Sequence, residues 1–574
     1  MSLDVSIRIG GQAGQGMQSI SFIMGKIFTR HGYYVFINQD VESRIRGGHN
    51  FNQVRVKDEP VHAISDEVDL LIALDKETID QDLPHLTEDG VLIFDGPQTG
   101  FTSDNPNYLS VPMEELATEV GKNKIMVNSV ATGAAFALLG YDLEPLLERL
   151  DEEFARKGTE IVVNNKNSAS AGYRYVQENF RGVCPHRIPP APLTKRKMLL
   201  TGSQAMALGA ICSGLKFYSG YPMSPSTPIM EFVASVSKEY DIIVEPAEDE
   251  IAAINMVIGA SFGGVRAMTA TSGGGFCLMV EGLGLAGMTE TPAVVVVAQR
   301  PGPSTGLPTR TEQADLRFMI HAGHGEFPRA VFAPGHVEQA FYLMGKAFNM
   351  AERYQTPVII LGDQHFNDSY FTADQPDLGK MKIDRGEIVF DDMISSTEDY
   401  KRYAWCDSGI SPRIFPGQSA SVLYADSDEH TEAGHITEDA EMRKRMVLKR
   451  MRKLEGMSRD LGPPEIYPSN NANIVLLGWG STYGAMKEAV DLMNGEGVRA
   501  KMLHFSEIYP FPSNGFAREI EGNGKLFAIE NNYAGQFADL FGFETGIPVS
   551  QRVLKYDGRP FSPREIIAQV KERV

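Results

Sequence analysis

The chain has 574 residues, of which 43% are hydrophobic and 22% are charged, ordinary values for a globular protein of several domains. Its 74 acidic residues outnumber its 54 basic residues and give a formal net charge of -20. Because this charge repels nucleic-acid phosphates and anionic lipid surfaces, we expect neither nucleic acid nor a membrane as a partner.

The four cysteines are Cys184, Cys212, Cys277 and Cys406, and none of them forms a C-x-x-C pair. The sequence therefore predicts neither a disulfide framework nor a local zinc or iron-sulfur motif. The first ten residues lack a basic start followed by an apolar core, and the apolar runs are shorter than a membrane span. We therefore expect a cytoplasmic protein.

Residues 1–184 alternate short apolar runs, such as Val5–Ile9 and Val91–Phe94, with helix-like stretches. This alternation is typical of a parallel sheet covered by helices and predicts a first α/β domain. The proline-rich stretch Pro185–Pro192 follows. Because proline fixes the backbone and removes an amide donor, residues 185–196 are predicted to form an interdomain linker.

A glycine-rich loop, Gly10–Gly16, lies between the first predicted strand and a predicted helix. Backbone amides and a helix N-terminus at such a loop can hold a phosphate group. The spacing misses the G-x-G-x-x-G pattern of dinucleotide folds, because Ala13 or Ser19 stands where a glycine is needed. Three alternatives stay open: a structural tight turn, a nicotinamide or flavin dinucleotide with Asp40 on its ribose, or another phosphorylated ligand such as the nucleotide end of coenzyme A.

Arg44 and Arg46 precede the glycine pair Gly47-Gly48. Two guanidinium groups beside flexible backbone suit bidentate contacts with phosphate or carboxylate. A surface turn with solvated arginines explains the same pattern, and spacing alone does not decide between them.

In residues 197–366 the alternation resumes, and the apolar runs Val294–Ala298 and Val358–Leu361 predict a second doubly wound domain. The stretch Tyr221–Pro228 is stiffened by prolines and carries the hydroxyls of Ser224, Ser226 and Thr227. Pro228 is predicted to lie in the first turn of a helix, with Thr227 as its cap.

Three consecutive acids, Glu248, Asp249 and Glu250, precede a helix-like stretch of small residues. Carboxylates at such a position commonly complement the helix dipole. A buried carboxyl that keeps its proton can instead donate a hydrogen bond to a ligand, and three neighbouring acids cannot all be that group.

Residues 367–468 are polar and acidic, with a basic helix predicted over Thr437–Met457. This helix either docks a partner or presents a solvated face, and the second interpretation is the simpler one. Residues 469–574 contain two strand-like runs, Ile474–Ser481 and Leu526–Asn532, that predict a third, smaller α/β domain.

Over nearly its whole length the sequence resembles the 2-oxoacid:ferredoxin oxidoreductases, in particular the alpha subunit in which a gamma domain is fused ahead of the alpha part. The segments that carry the resemblance are Gly10–Gly16, Arg46–Gly48, Tyr221–Pro228, Thr271–Met279, Glu281-Gly282, Gly287–Pro292 and Gln299–Gln313. The family's Tyr-Pro-Ile-Thr-Pro-Ser-Thr loop has Met223 for Ile and Ser224 for Thr here. The second change keeps a hydroxyl and with it a hydrogen-bond donor.

The resemblance implies an α/β fold with three doubly wound or Rossmann-like domains. Residues 1–184 would form the gamma domain and residues 197–366 a pyrimidine-binding domain for thiamine. Residues 367–468 would form a polar connector and residues 469–574 a transketolase C-terminal-like domain.

The resemblance also implies cofactors and partners. Thiamine diphosphate would be shared with a beta subunit, which would bring Mg²⁺, the diphosphate contacts and a 4Fe-4S cluster, in an (alpha-beta)2 assembly. The reaction would be oxidative decarboxylation of a 2-oxoacid to acyl-CoA and CO₂, with coenzyme A as co-substrate and ferredoxin as electron acceptor. This chain itself shows no metal-binding or cluster-binding motif.

The same resemblance assigns roles to residues. Glu250 would activate the cofactor by a hydrogen bond to its aminopyrimidine, which leaves Glu248 and Asp249 as ordinary helix-start acids. Ser224 and Arg300 would hold the substrate carboxylate. The remaining cofactor-binding candidates are Tyr221 and Pro222 for thiamine diphosphate and Arg46 for coenzyme A.

The fused arrangement resembles enzymes of the 2-oxoglutarate type, whose second carboxylate would need a cation such as Arg310 or His321. Pyruvate and branched-chain or broad-range 2-oxoacids are the alternative substrates. Two functions of other classes also stay open: a nicotinamide or flavin dehydrogenase built on the N-terminal glycine loop, and a non-catalytic assembly subunit that binds a partner through residues 367–468.

Overall fold

A computed structural model of the chain describes residues 3–42, 47–189, 197–389, 400–418, 421–468, 472–512, 515–516, 520 and 524–573. The chain separates into two compact units. Unit 1 comprises Met1–Leu200, Asp368–Gln375 and Ser562–Arg564, and unit 2 comprises Thr201–Asn367, Pro376–Phe561 and Glu565–Val574. Three sheets with flanking helices confirm the α/β class, whereas the domain boundaries drawn from composition stay a prediction.

The strands, in chain order, are β1 Asp4–Ala13, β2 Tyr34–Val41, β3 Gly47–Lys57, β4 Val68–Ala73, β5 Leu86–Phe94, β6 Tyr108–Ser110, β7 Met198–Thr201, β8 Leu215–Gly220, β9 Ile243–Pro246, β10 Arg266–Thr271, β11 Ala293–Gln299, β12 Ala330–Phe332, β13 Pro357–Asp363, β14 Tyr370–Ala373, β15 Glu465–Tyr467, β16 Ile474–Trp479, β17 Ala500–Phe505, β18 Glu507–Tyr509, β19 Lys525–Glu530 and β20 Gln551–Leu554.

The α-helices are α1 Met17–Arg30, α2 Lys76–Asp82, α3 Gly96–Thr99, α4 Met113–Gly121, α5 Val127–Leu138, α6 Glu144–Phe154, α7 Thr159–Asn179, α8 Gly202–Cys212, α9 Thr227–Val236, α10 Glu250–Phe262, α11 Gly273–Met288, α12 Leu316–His321, α13 Val337–Tyr354, α14 Gln364–Asp368, α15 Ala440–Asp460, α16 Tyr483–Gly495, α17 Gln536–Thr545 and α18 Pro563–Lys571. Within the described ranges, no helix is both long enough and apolar enough to cross a membrane.

The eight-stranded sheet of unit 1 has the order β6-β5-β4-β1-β3-β2-β14-β7. Strands β1, β4, β5 and β6 run parallel, as predicted. The expectation of a wholly parallel sheet is wrong, because β3 pairs antiparallel with both β1 and β2. Only a few residues separate Val41 from Gly47, and so short a connection joins antiparallel strands, whereas a parallel pair needs a long crossover.

The seven-stranded sheet of unit 2 has the order β18-β12-β13-β11-β10-β8-β9, and β8 to β13 run parallel. The predicted runs at 294–298 and 358–361 lie in β11 and β13, whose residues are all buried, as the apolar pattern required. The strand order changes direction beside β8, since β9 lies on one side of it and β10 on the other. In open α/β sheets, ligands bind at such a switch point, outside the carboxyl ends of the strands.

The five-stranded sheet, also in unit 2, has the order β15-β17-β16-β19-β20. Its central strands β16 and β19 lie at the two apolar runs that predicted a third α/β segment. Strands β17, β16, β19 and β20 run parallel. Helices α16 and α18 contribute apolar side chains to the same buried cluster as these strands.

Helix α15 confirms the basic helix predicted in the polar segment, but a fully solvated face is wrong. Arg443 to Arg445 are exposed, whereas Lys449 and Lys453 are buried. Met446, Lys449, Lys453 and Met457 recur at helical spacing and form one buried stripe. The aliphatic stems of lysine can line such a stripe, but their ammonium groups need an anionic partner, which tertiary structure supplies here at Glu290.

A buried histidine in β17 makes unit 2 sensitive to acid. His504 is fully buried; its Nε2 lies 2.9 Å from the Gly480 carbonyl O, and its Nδ1 has no hydrogen-bond partner among the described residues. Burial lowers the pKa of His504 to about 4. Since the unfolded imidazole takes up a proton below pH 6.5, the free energy of unfolding should fall by about 3 kcal/mol as the pH drops from 6.5 to 4.

Urea unfolding followed by the fluorescence of Trp479, which is buried in the adjacent strand β16, measures this dependence. The His504→Gln variant keeps an amide donor for the Gly480 carbonyl but does not titrate in this range. We therefore expect a shallower pH dependence in the variant. Equal slopes for the two proteins would rule out His504 as the titrating group.

Candidate functional site

The candidate site lies at the switch point of the seven-stranded sheet, where the loops after β8 and β10 come together. In the first loop, the Ser226 hydroxyl donates to the Met223 carbonyl O at 2.7 Å. Helix α9 begins at Thr227 with Ser226 at the N-cap position and no side-chain cap, so the helix is as predicted but the Thr227 cap is wrong. Pro228 fits this first turn because the helix needs no amide donor there.

The three consecutive acids before α10 have different environments. Glu248 is exposed, and the Asp249 side chain caps α10 by accepting from the Ala252 amide at 2.7 Å. Glu250, the first residue of the helix, is 2% exposed, and its Oε1 has no hydrogen-bond partner within the described part of the chain. A buried polar atom without a hydrogen-bond partner costs free energy. Such atoms are therefore often found at binding sites, where a ligand supplies the missing hydrogen bond.

The first turn of α11 is shaped around this carboxyl. A Cβ built on Gly275 would overlap both Glu250 Oε1 and Thr271 Oγ1. At the neighbouring Gly274 the nearest atom to such a Cβ is the Ser304 carbonyl O, at 3.8 Å. Glycine is therefore required at position 275 to let the Glu250 carboxyl reach its place, whereas position 274 has room for a methyl group.

The structure brings Ser224 and Arg300 together. Arg300 Nη1 donates to the Ser224 carbonyl O at 2.7 Å, which leaves the Ser224 hydroxyl available for another contact. The preceding residue, Met223, has its Sδ 2.6 Å from Ser272 Oγ and 4.0 Å from Thr271 Oγ1. The serine-arginine pair is thus joined through Met223 to the loop that lies against Glu250.

Two further carboxyls at this edge of the sheet were missed from the sequence. The Asp315 carboxyl lies so close to Gly273, at the start of α11, that a Cβ there would overlap it. Burial raises the pKa of Asp315 to about 6, and burial together with the charge of Asp315 raises the pKa of Glu312 to about 7. Both residues lie in or directly after the motif segment Gln299–Gln313, so their position in that motif was the available signal.

The other predicted site residues are less closely associated with Glu250. Tyr221 is 41% exposed, and Pro222 is exposed as well. The Arg310 backbone amide donates to the Leu307 carbonyl O at 3.1 Å, and His321 is exposed at the end of α12. Arg46 and Arg44 lie outside the described residues.

In unit 1, two glycine segments lie side by side, Gly14–Gly16 before α1 and Gly47-Gly48 at the start of β3, and we call them the two glycine turns. Strand β1 extends through Ala13, and α1 begins after Gly16 with no side-chain cap. Gly14, Gly16, Gly47 and Gly48 all have positive φ, between 68° and 94°, which favours glycine. Ala13 pairs with Gly47 across the sheet, and a Cβ on Gly14 or Gly47 would meet nothing within 4 Å. Open space therefore lies beside Gly14 and Gly47, whereas a Cβ on Gly16 would overlap the Asn128 side chain and one on Gly48 would crowd Glu42.

The contrast between positions 275 and 274 gives a matched test. If Glu250 has the role that the resemblance implies, Gly275→Ala should displace its carboxyl and reduce the implied activity about 10²-fold, since misplacing a catalytic group by about 1 Å has an effect of this size. Gly274→Ala adds the same methyl group where there is room and should stay within about threefold of wild type. Steady-state kinetics of both variants test this prediction. Equal activities would show that the Glu250 carboxyl does not lie against Gly275.

Two family models match the chain. Residues 6–175 match the pyruvate ferredoxin/flavodoxin oxidoreductase model, and residues 208–449 match the thiamine diphosphate-binding model of the pyruvate flavodoxin/ferredoxin oxidoreductases. The second match contains Ser224, Glu250 and Arg300.

Similar proteins align over almost the full length. A 2-oxoacid:ferredoxin oxidoreductase subunit alpha from Sulfolobus sp is 35% identical, with 97% of this chain and 95% of the relative covered. The 2-oxoglutarate oxidoreductase subunit KorA of Mycobacterium tuberculosis is 29% identical, with 98% and 90% covered. The structure of a 2-oxoglutarate:ferredoxin oxidoreductase from Magnetococcus marinus with 2-oxoglutarate, coenzyme A and succinyl-CoA bound superimposes with a TM-score of 0.91, at 31% identity and 100% coverage of both chains.

Proposed function

The chain belongs to the 2-oxoacid:ferredoxin oxidoreductases, as an alpha subunit, and from this premise we propose that it acts with a beta subunit to decarboxylate 2-oxoglutarate oxidatively. The overall reaction would consume a 2-oxoacid, coenzyme A and two oxidised ferredoxins. It would release acyl-CoA, CO₂, two reduced ferredoxins and one proton. The observation that carries the proposal is the buried Glu250 carboxyl with its unpaired Oε1 at the switch point of the sheet.

The residues at this point fit the pyrimidine end of thiamine diphosphate. A hydrogen bond between the Glu250 carboxyl and a ring nitrogen of the aminopyrimidine would give the unpaired Oε1 a partner. Tyr221 and Pro222 would border the ring from the loop after β8. When bound, thiamine diphosphate supplies the electron sink that decarboxylation of a 2-oxoacid needs, while the protein supplies orientation and charge.

Ser224 and Arg300 support a role in substrate binding. The Arg300 guanidinium is anchored at one nitrogen by the Ser224 carbonyl, which fixes its orientation. Its other nitrogens and the Ser224 hydroxyl are donors that suit a carboxylate. In the proposal they hold the carboxylate that leaves as CO₂.

A beta subunit would complete the site. Among the described residues no group of three or more His, Cys, Asp or Glu side chains could hold a metal ion, and all four cysteines are free thiols. In the proposal the beta subunit contributes Mg²⁺, the diphosphate contacts and the 4Fe-4S cluster that passes electrons to ferredoxin, in an (alpha-beta)2 assembly.

Coenzyme A would bind to unit 1 at the two glycine turns. Their backbone amides and the uncapped start of α1 suit its phosphates, and Arg46, adjacent to Gly47 in sequence, would add a guanidinium group. Of the three interpretations of the glycine loop, this proposal adopts the third, a phosphorylated ligand such as coenzyme A. A dehydrogenase built on the same loop is the less favoured function, because the loop lacks the dinucleotide spacing and Glu250 would then have no role.

The choice of 2-oxoglutarate leads to a specificity prediction. Its second carboxylate needs a cation, and Arg310 is the proposed one. We expect the assembled enzyme to prefer 2-oxoglutarate to pyruvate, and Arg310→Met to raise the KM for 2-oxoglutarate about 10- to 100-fold, the effect of losing one charged hydrogen bond. The KM for pyruvate should change little. Arg317→Met, at an exposed arginine paired with Asp539, is the matched control.

Co-purification with the product of the neighbouring gene, followed by viologen reduction with coenzyme A and a panel of 2-oxoacids, tests the partner and the substrate together. Turnover of 2-oxoglutarate by the pair, and none by the isolated chain, is the expected result. Faster turnover of pyruvate or a branched-chain 2-oxoacid would show that this compound, and not 2-oxoglutarate, is the preferred substrate. A pair that reduces no acceptor with any 2-oxoacid would refute the proposed activity.

A further inference from the structure

A buried ion cluster lies beside the two glycine turns of unit 1. Arg8 Nη1 is 2.9 Å from Asp82 Oδ1, and His49 Nε2 is 3.1 Å from the other oxygen of the same carboxylate. The three side chains are only 6%, 4% and 9% exposed. With His49 protonated, two cations share one anion, so the cluster carries a net positive charge.

The chain geometry places this cluster directly next to the turns. His49 follows Gly47-Gly48 in sequence. On the neighbouring strand, a Cβ built on Gly10 would lie 3.1 Å from Asp82 Oδ2, the oxygen that faces His49. Gly10 lies on β1 four residues before Gly14, and the next residue, Gly11, pairs with Asn50, the neighbour of His49. The cluster therefore lies beside the strand residues that connect to both glycine segments.

His49 is held firmly but is not saturated with hydrogen bonds. Its backbone amide donates to Glu42 Oε2 at 2.8 Å, whereas its ring Nδ1 has no hydrogen-bond partner within the described ranges. On the other side of the carboxylate, Arg8 Nη2 donates to Gln53 Oε1 at 3.1 Å and the guanidinium lies 4.3 Å from the centre of the Phe51 ring. Two Arg8 nitrogens are thus engaged, while its Nε has no hydrogen-bond partner within the described ranges. Histidine is the residue type of this cluster whose charge can change near neutral pH.

The surroundings favour the charged form of His49. Burial alone lowers the pKa of His49, but the hydrogen bond and charge of Asp82, with the charges of Asp75 and Glu77, outweigh it and raise the pKa above its ordinary value. The other charged or titratable groups packed around the cluster are Arg8 on β1, His85 after α2 and Glu42 after β2.

We propose that His49 is a positioning residue for an anionic ligand at the two glycine turns, and that its imidazolium provides the charge that favours the ligand's phosphates. The ligand is coenzyme A if the proposed function holds, and the inference rests on that function. Protonation of His49 adds one positive charge beside Asp82, Asp75, Glu77 and Glu42. This added charge acts over several ångströms because the interior screens it weakly.

Two measurable consequences follow from linkage. The affinity for the ligand should be highest where His49 is protonated and should fall as the pH rises through its folded-state pKa. By reciprocity, ligand binding should draw protons onto the protein in the same range. A purely structural role for His49 would produce neither effect.

Isothermal titration calorimetry of dephospho-coenzyme A binding to the assembled enzyme between pH 6 and 8 tests both consequences. This probe lacks the phosphate monoester that ionises near pH 6, and its thiol ionises above the range, so titration of the ligand does not interfere. We expect affinity to fall about tenfold across the range. Buffers of different ionisation enthalpy should report proton uptake on binding.

Variants of the cluster separate the possibilities. His49→Gln should bind with an affinity that does not depend on pH and without proton uptake, whereas His186→Gln, at a histidine near Asp69 and Asp89, should behave as wild type. If His49→Gln does not fold, Asp82→Asn is the second test, because loss of the carboxylate should move the affinity change to lower pH.

The outcomes distinguish this inference from the proposed function. Binding that keeps the wild-type pH dependence in His49→Gln, or binding with no proton uptake in wild type, would overturn the role of His49 and leave coenzyme A binding intact. Absence of calorimetric binding at every pH would overturn coenzyme A binding itself.

Discussion

Glu250→Gln is expected to lower kcat/KM of the assembled enzyme roughly 10²- to 10⁴-fold, the range for losing a positioned acid or base. Glutamine has the shape of the protonated acid, and its amide can donate a hydrogen bond, but it cannot transfer a proton. Glu250 is 2% exposed, so the amide will occupy the same closed space. The overall fold should be retained, and Glu250→Ala should lose still more activity because it leaves an empty space beside Gly275.

Glu248→Gln is the matched control, since it makes the same chemical change two residues away at an exposed position. A readout other than turnover is deuterium exchange at the thiazolium carbon of bound thiamine diphosphate, followed by NMR, which Glu250→Gln should slow and Glu248→Gln should not. If Glu250→Gln turns over and exchanges at the wild-type rate, the carboxyl has no part in activation and the proposed half-site is wrong.

Glu290→Gln is expected to reduce the free energy of unfolding of unit 2 by about 3–5 kcal/mol, the cost of breaking a buried ion pair from one side. Lys449 Nζ lies 2.6 and 2.8 Å from the two Glu290 carboxylate oxygens, and Lys453 Nζ lies 2.5 Å from one of them. All three side chains are at most 1% exposed. The lysines hold the pKa of Glu290 well below its usual range, so its substitution leaves two buried ammonium groups without their anion.

Thermal or urea unfolding of the full chain measures this loss. Glu455→Gln removes one partner of an exposed pair with Arg459 on the same helix and should cost less than about 1 kcal/mol. The double variant Glu290→Gln/Lys449→Met removes one stranded cation and should recover part of the loss. A change below about 1 kcal/mol in the single variant would mean that water reaches the cluster and that burial does not isolate it.

Several features of the site were predictable because their signal is local. The strands at 294–298 and 358–361 are runs of apolar residues, and such a run is the expected sequence signal of a strand that is buried on both faces. The start of α9 follows from Pro228, because a proline at the first turn restricts the chain by itself. The resemblance singled out Glu250 among three acids, and it is the buried one of the three, whereas its role stays a prediction.

Local signals failed where the answer depends on residues far apart in the chain. Strand β3 begins with Gly47-Gly48 and has Phe51 as its one apolar side chain before Val54, so its sequence is a weak strand signal. Its pairing with β1 and β2 shows that the sheet of unit 1 is mixed. The pKa values of Asp315 and Glu312 are raised by burial, which packing alone determines.

The sequence by itself determined the α/β class, the order of the strand and helix segments and the basic helix at α15, and its resemblance to a family selected Glu250 as the acid of the proposed chemistry. Tertiary structure alone decided that Lys449 and Lys453 point inward to Glu290, that Met223 joins the serine-arginine pair to the loop at Glu250, and that His49 shares a carboxylate with Arg8. The physical reason is that periodicity and turn chemistry act between near neighbours, whereas the burial of a charge is tolerable only when a partner from elsewhere in the chain meets it.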